Sequence, residues 1–173
     1  ARGIGMNVVA FDVAPDESFA QSLGFTYASL FKVAAASDIV TVHVPLMDAT
    51  HHLINAAFLE AMKDGSYLIN TARGEVVDTQ ALIAALQSGH LAGAGLDVLE
   101  GERELHDEAA LLAKGDDGDI WKTLVADNAL IDMPNVIVTP HIAFNTKEAK
   151  QEITDITIAN IKRFIEGVPQ NTL

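Results

Sequence analysis

The chain has no cysteine, which excludes a disulfide frame and any thiolate chemistry. That composition fits a reducing compartment, and a cytoplasmic location is expected. Basic residues are scarce, 11 Lys and Arg against 24 Asp and Glu, for a formal net charge of -13. A phosphate backbone needs a basic face, so nucleic acid is not expected as a partner. No unbroken apolar run is long enough to span a bilayer, so no membrane partner is expected either. There is no Gly-x-Ser-x-Gly elbow and no Walker loop. An initiator methionine is also missing: the chain opens Ala1-Arg2-Gly3-Ile4-Gly5-Met6. That start reads as the end of a helix running into a strand, so a fragment or a processed chain is expected. No signal peptide explains it.

What is present describes a globular α/β domain. Hydrophobic residues make up 49% of 173, enough for one domain with a real core. Apolar β-rich runs cover Met6 to Phe11, Ile39 to Val44, Tyr67 to Asn70, Leu91 to Val98 and Val136 to Thr139. Helical patterns cover Asp16 to Leu23, Ser29 to Ala36, Asn55 to Met62 and Thr79 to Gln87. Arg103 to Met133 is a long mixed segment. From Thr146 to Ile165 isoleucines recur with charges between them, the pattern of an amphipathic helix. Alternating strands and helices predict a doubly wound parallel sheet. The Gly- and Ala-rich Leu91 to Val98 strand is expected to be buried on both faces.

Three strand-like runs each lead to a residue capable of chemistry: Arg73, Glu102 and His141. Ligands of open parallel sheets bind outside the carboxyl ends of the strands, so the three are expected to converge on one crevice. A guanidinium matches a carboxylate in a bidentate fork. A carboxylate beside an imidazole fixes its tautomer and favours its protonated form, which suits a ring that gives a proton to a carbonyl oxygen. Taken alone, Arg73 also reads as a surface ion-pair residue, His141 as a structural histidine and Glu102 as one more charge in an acidic loop. Asp12 reads equally well as an acid on a ribose diol or as a turn residue. Asp97 reads as a partner for a carboxamide or as a cap. His43 is expected inside a strand, buried or near an adenine site. His51 and His52 are expected to point apart, with no third ligand at metal spacing, so no metal site is expected. His90 and His106 carry no signal.

The ordered set Gly5-Met6, Asp12, Val42-His43-Val44-Pro45-Leu46, Thr71-Ala72-Arg73-Gly74, Gly95-Leu96-Asp97-Val98, Thr139-Pro140-His141 and Val168-Pro169-Gln170-Asn171 resembles the D-isomer-specific 2-hydroxyacid dehydrogenase family. Each piece is weak alone; their order is specific. The resemblance implies a Rossmann-type NAD-binding domain over residues 1–144, lacking its first strand and glycine-rich loop. It implies that residues 145–173 form a C-terminal helix that returns towards a substrate domain. It further implies NAD as cofactor, a small 2-keto or 2-hydroxy acid as substrate, and a homodimer. By that resemblance Arg73 clamps the substrate carboxylate, His141 donates the proton and Glu102 tunes it. Asp12, Val44, Pro45, Thr50, Thr71, Ala72, Arg73 and Asp97 fall at cofactor positions. Phe144 faces the substrate, as in the D-lactate dehydrogenase-like branch. Rival readings are a phosphoglycerate, glyoxylate or formate dehydrogenase of the same family, or a corepressor-like nucleotide-sensing module. The isolated 173-residue chain is expected to be catalytically inactive.

Overall fold

A computed structural model describes residues 1–102 and 118–171. The chain divides into two compact units, Ala1–Val138 and Thr139–Leu173.

The first unit opens with a short parallel pair, β1 (Val9–Ala10) and β2 (Thr26–Tyr27), joined through helix α1 (Glu17–Leu23). Helix α2 (Leu30–Ala36) leads to a four-stranded sheet. Its strands are β3 (Ile39–Val42), β4 (Ser66–Asn70), β5 (Leu91–Leu96) and β6 (Val136–Val138), all parallel and adjacent in that order. The crossovers carry α3 (Ala56–Glu60), α4 (Thr79–Gln87) and α5 (Gly118–Asp132). Because strand order follows chain order, the helices lie side by side, with α4 touching both α3 and α5. The parallel α/β architecture expected from the alternating pattern is what folds.

Local chemistry sets the boundaries. Asp16, Asn55 and Asp78 cap α1, α3 and α4 by accepting the backbone N–H of Phe19, Phe58 and Ala81. Val40, Val42, Leu68 and Leu96 face the helices and pack with Phe58, Leu82, Leu86 and Leu130 in one core. The opposite sheet face is more open: Tyr67 is 49% and Ile137 72% exposed. β5 was expected to be buried on both faces, but Ala92 and Gly95 are only half-buried. Gly93 meets the turn before β6 so closely that a Cβ there would lie 2.6 Å from the Asn135 carbonyl oxygen.

Three features depart from the sequence-based reading. The run from Met6 to Phe11 forms strand only at Val9 and Ala10. The partner β2 was not anticipated, being two residues long. The mixed segment after Arg103 contains a full helix, α5. The position of His106 falls outside the described residues.

The second unit is a turn followed by α6 (Lys147–Ile165). Thr146 caps this helix through the Ala149 N–H at 3.1 Å. It ends beyond Glu166 at Gly167, whose φ is +77. Among the described residues no helix is long and apolar enough to cross a membrane.

Candidate active site

The Arg73 loop begins where β4 ends, and a buried amide shapes it. Asn70 is 1% exposed and lies in register between Val42 of β3 and Leu96 of β5. An amide in an apolar layer needs partners. Its Oδ1 accepts the Ala72 N–H at 3.0 Å, and its Nδ2 donates to the Arg73 carbonyl at 2.8 Å. Its own carbonyl accepts the Asp97 N–H at 2.9 Å. One side chain therefore bends the chain after β4 and turns Arg73 outward. Arg73 is exposed, with extended backbone and Nη1 donating to the Ala72 carbonyl at 2.7 Å. In the sequence Asn70 stands only as the end of a strand-like run. Its signal was a short amide at a strand end, a residue type that bonds backbone two residues on.

Gly74 packs this loop onto the one after β5. A Cβ at Gly74 would lie 2.1 Å from both the carbonyl carbon and the oxygen of Leu99, a distance no side chain permits. The β5 loop continues through Glu100 and Gly101 to Glu102. Gly101 donates its N–H to Oδ2 of Asp127 on α5 at 2.9 Å, and Glu102 donates its N–H to the Leu99 carbonyl at 3.3 Å. Asp127 is fully buried. It ties the Glu102 loop to α5, and nothing in the mixed segment marked it. Arg73 and Glu102 thus sit on neighbouring loops in direct contact. Asp97, at the end of β5, is 4% exposed.

Asp12 follows β1 and is exposed, and its Oδ1 accepts the Ala14 N–H at 2.8 Å. The turn role is therefore real, made by one oxygen of the carboxylate. Thr50 closes the loop after β3: its hydroxyl donates to the Pro45 carbonyl at 2.6 Å and accepts the Met47 N–H at 2.8 Å. Val44 is half-buried and Pro45 exposed in that same loop. Thr71 is exposed and Ala72 half-buried after β4.

His141 and Phe144 belong to the second unit, where they meet. Their rings lie edge to face with centroids 6.3 Å apart. His141 has φ +51, and its N–H bonds the Thr139 carbonyl at 2.9 Å. A left-handed conformation costs a non-glycine residue about 1 kcal/mol or more, and such strain gathers at functional sites.

The structure corrects two histidine expectations. His43 lies past the end of β3 and is exposed, not buried within a strand; its Nε2 is 3.0 Å from the Thr41 hydroxyl. His51 and His52 do not point apart. Their rings stack with centroids 4.1 Å apart, and His52 Nε2 lies 2.8 Å from Oε1 of Glu100. His52 also holds a left-handed backbone, with φ +49. His90, which carried no signal, is structural: Nδ1 meets Asp64 at 2.5 Å and Nε2 the Leu59 carbonyl at 2.9 Å.

Comparison with known proteins agrees with this architecture. Residues 1–143 match the model of the D-isomer specific 2-hydroxyacid dehydrogenase, NAD binding domain. The chain is 40% identical over 171 residues to D-lactate dehydrogenase kk1H of Curvularia clavata, covering 97% of this chain and 46% of that protein. It is 39% identical over 173 residues to a glycerate dehydrogenase of Methylorubrum extorquens, covering 100% of this chain and 47% of that protein. Its fold matches the crystal structure of an Aquifex aeolicus D-lactate dehydrogenase complexed with NAD and lactic acid. The TM-score is 0.82 at 40% identity, over 96% of this chain and 48% of that one. The chain spans about half the length of the curated relatives it matches. The chain therefore belongs to the D-isomer specific 2-hydroxyacid dehydrogenase family, as the NAD-binding domain of that family.

Proposed function

We propose that the chain serves as the NAD-binding domain of an enzyme that interconverts a 2-keto acid and the D-2-hydroxy acid using NAD. The observation that carries this reading is the Arg73 loop, held outward at the carboxyl end of a parallel sheet by Asn70 and Gly74. The residues at the expected cofactor positions have the chemistry a dinucleotide needs. Asp12 offers an exposed carboxylate to a ribose diol. Val44 and Pro45 offer apolar cover beside Thr50, and Thr71, Ala72 and Asp97 follow the next two strands. A carboxylate at Asp12 also repels a 2′-phosphate, which favours NAD over NADP. When bound, NAD supplies or accepts the hydride at the substrate carbon.

The chain's residues do the rest. The Arg73 guanidinium holds the substrate carboxylate in a planar fork and draws charge towards the carbonyl oxygen. His141 gives a proton to that oxygen in keto-acid reduction and takes it back in the reverse direction. Glu102 fixes the imidazole tautomer, and Phe144 packs against the substrate. Pyruvate and D-lactate are the favoured pair, supported by the D-lactate dehydrogenases among the relatives. The glycerate dehydrogenase and glyoxylate reductase among them support a different small acid in the same site. The presence of Arg73, Glu102 and His141 together argues against a corepressor-like module. The reading includes a cytoplasmic homodimer.

Replacing His141 by Ala tests the reaction. Turnover of NADH with the preferred keto acid should fall about 10²- to 10⁴-fold, the worth of a general acid, while NADH binding by fluorescence is retained. Equal loss of both would make His141 a structural residue.

A further inference from the structure

We propose that His51, His52 and Glu100 form a binding site for a divalent transition-metal ion, zinc or one of similar borderline softness. Two imidazoles and a carboxylate are a donor set that suits zinc. One donor atom from each residue lies within 4.8 Å of the other two. The set comes from two separate loops, since Glu100 follows β5 and the histidines follow β3.

The histidine pair is held in this arrangement by backbone. His51 donates its N–H to the Met47 carbonyl, and His52 donates its N–H to the Glu75 carbonyl, each at 2.9 Å. His52 keeps a left-handed φ of +49, and the two rings lie with centroids 4.1 Å apart. An outlier of this kind, fixed from both sides, marks a constrained site. Glu100 is oriented as well. Its Oε2 accepts the Thr79 N–H at the start of α4 at 3.4 Å, which leaves Oε1 towards His52. Outer partners that aim a ligating carboxylate are the usual support of a metal site. His51 is exposed while His52 and Glu100 are half-buried, so an ion reaches the site from solvent and keeps water in its open positions. Entry of the ion replaces the His52–Glu100 hydrogen bond by two coordinate bonds.

The test uses purified, untagged protein stripped with chelator. Zinc titrated by calorimetry should bind one ion at this site, and cobalt should give the visible bands of a low-coordinate centre. His51→Ala, at an exposed position, should weaken zinc ~10-fold or more with unchanged circular dichroism. His51→Cys should restore binding and add a thiolate-to-cobalt charge-transfer band. The chain has no cysteine of its own to produce such a band. Glu100→Gln keeps the shape of the side chain and should also weaken zinc. Absence of zinc binding in the parent protein overturns the proposal. So does zinc affinity that His51→Ala and Glu100→Gln both leave unchanged, or a His51→Cys variant that binds cobalt without the new band.

Discussion

Asn70 is the residue on which the Arg73 loop turns. Its amide makes both bonds that shape residues 71–73, inside a layer otherwise built of Val42, Leu68 and Leu96. Asn70→Ala leaves a backbone donor and a backbone acceptor without their partner, at a cost of about 1–3 kcal/mol. Chemical denaturation should show that loss. Because the loop also aims the guanidinium, KM for the keto acid should rise while NADH affinity holds; a stability loss with KM unchanged would limit Asn70 to packing. At this scale the sequence was partly legible. Arg73 and Gly74 stood out by their neighbours, because a charge beside a glycine after an apolar run is a local pattern. Gly74's reason, the Leu99 backbone 2.1 Å from a would-be Cβ, spans distant residues and leaves no local trace. The His51–His52 stack was misread because a positive φ at a histidine is dictated by the loop around it. Asp127 was invisible for the same reason: its partner, Gly101, is far off in sequence.

Helices were read best where their ends carry polar caps. Thr79–Gln87 was anticipated to the residue, and Asp78 caps it. Helix α5 was missed because residues 118–132 mix Gly, Asp, Asn and Trp without a clear apolar stripe. Strand β2 was missed because two residues have no period. The cap of α1 makes a measurable case. Asp16 is held below its ordinary value of 3.8, first by the Ser18 hydroxyl and then by the Phe19 N–H. A carboxyl depressed on folding stabilises α1 above pH 3.8 and loses that support as pH falls through the folded value. NMR titration of the Asp16 carboxyl should therefore give a midpoint below 3.8, and Ser18→Ala should move it upward. A midpoint at or above 3.8 in the parent protein would remove this cap from the stability of α1.

At the scale of the molecule, the parallel α/β fold was legible because strands and helices alternate with clear stops, and the family because its short motifs recur in order. The open sheet face was not legible, since Tyr67 and Ile137 lie in apolar runs like those of the buried strands. The substrate was not legible either, because an acid-binding arginine recognises the carboxylate that every 2-keto acid shares. That shared chemistry nevertheless gives the reading a sharp test. The first measurement is NADH oxidation by the complete enzyme that carries this domain across pyruvate, glyoxylate, hydroxypyruvate and longer 2-keto acids, in parallel with Arg73→Lys. A lysine keeps the charge and loses the planar fork. The parent protein should reduce at least one 2-keto acid to the D-hydroxy acid, and Arg73→Lys should lower kcat/KM on the order of 10²-fold for every acid that turns over. A parent protein that reduces none of them, or an Arg73→Lys variant with unchanged kcat/KM, would contradict the assignment of Arg73 as the carboxylate clamp of a 2-keto acid reductase.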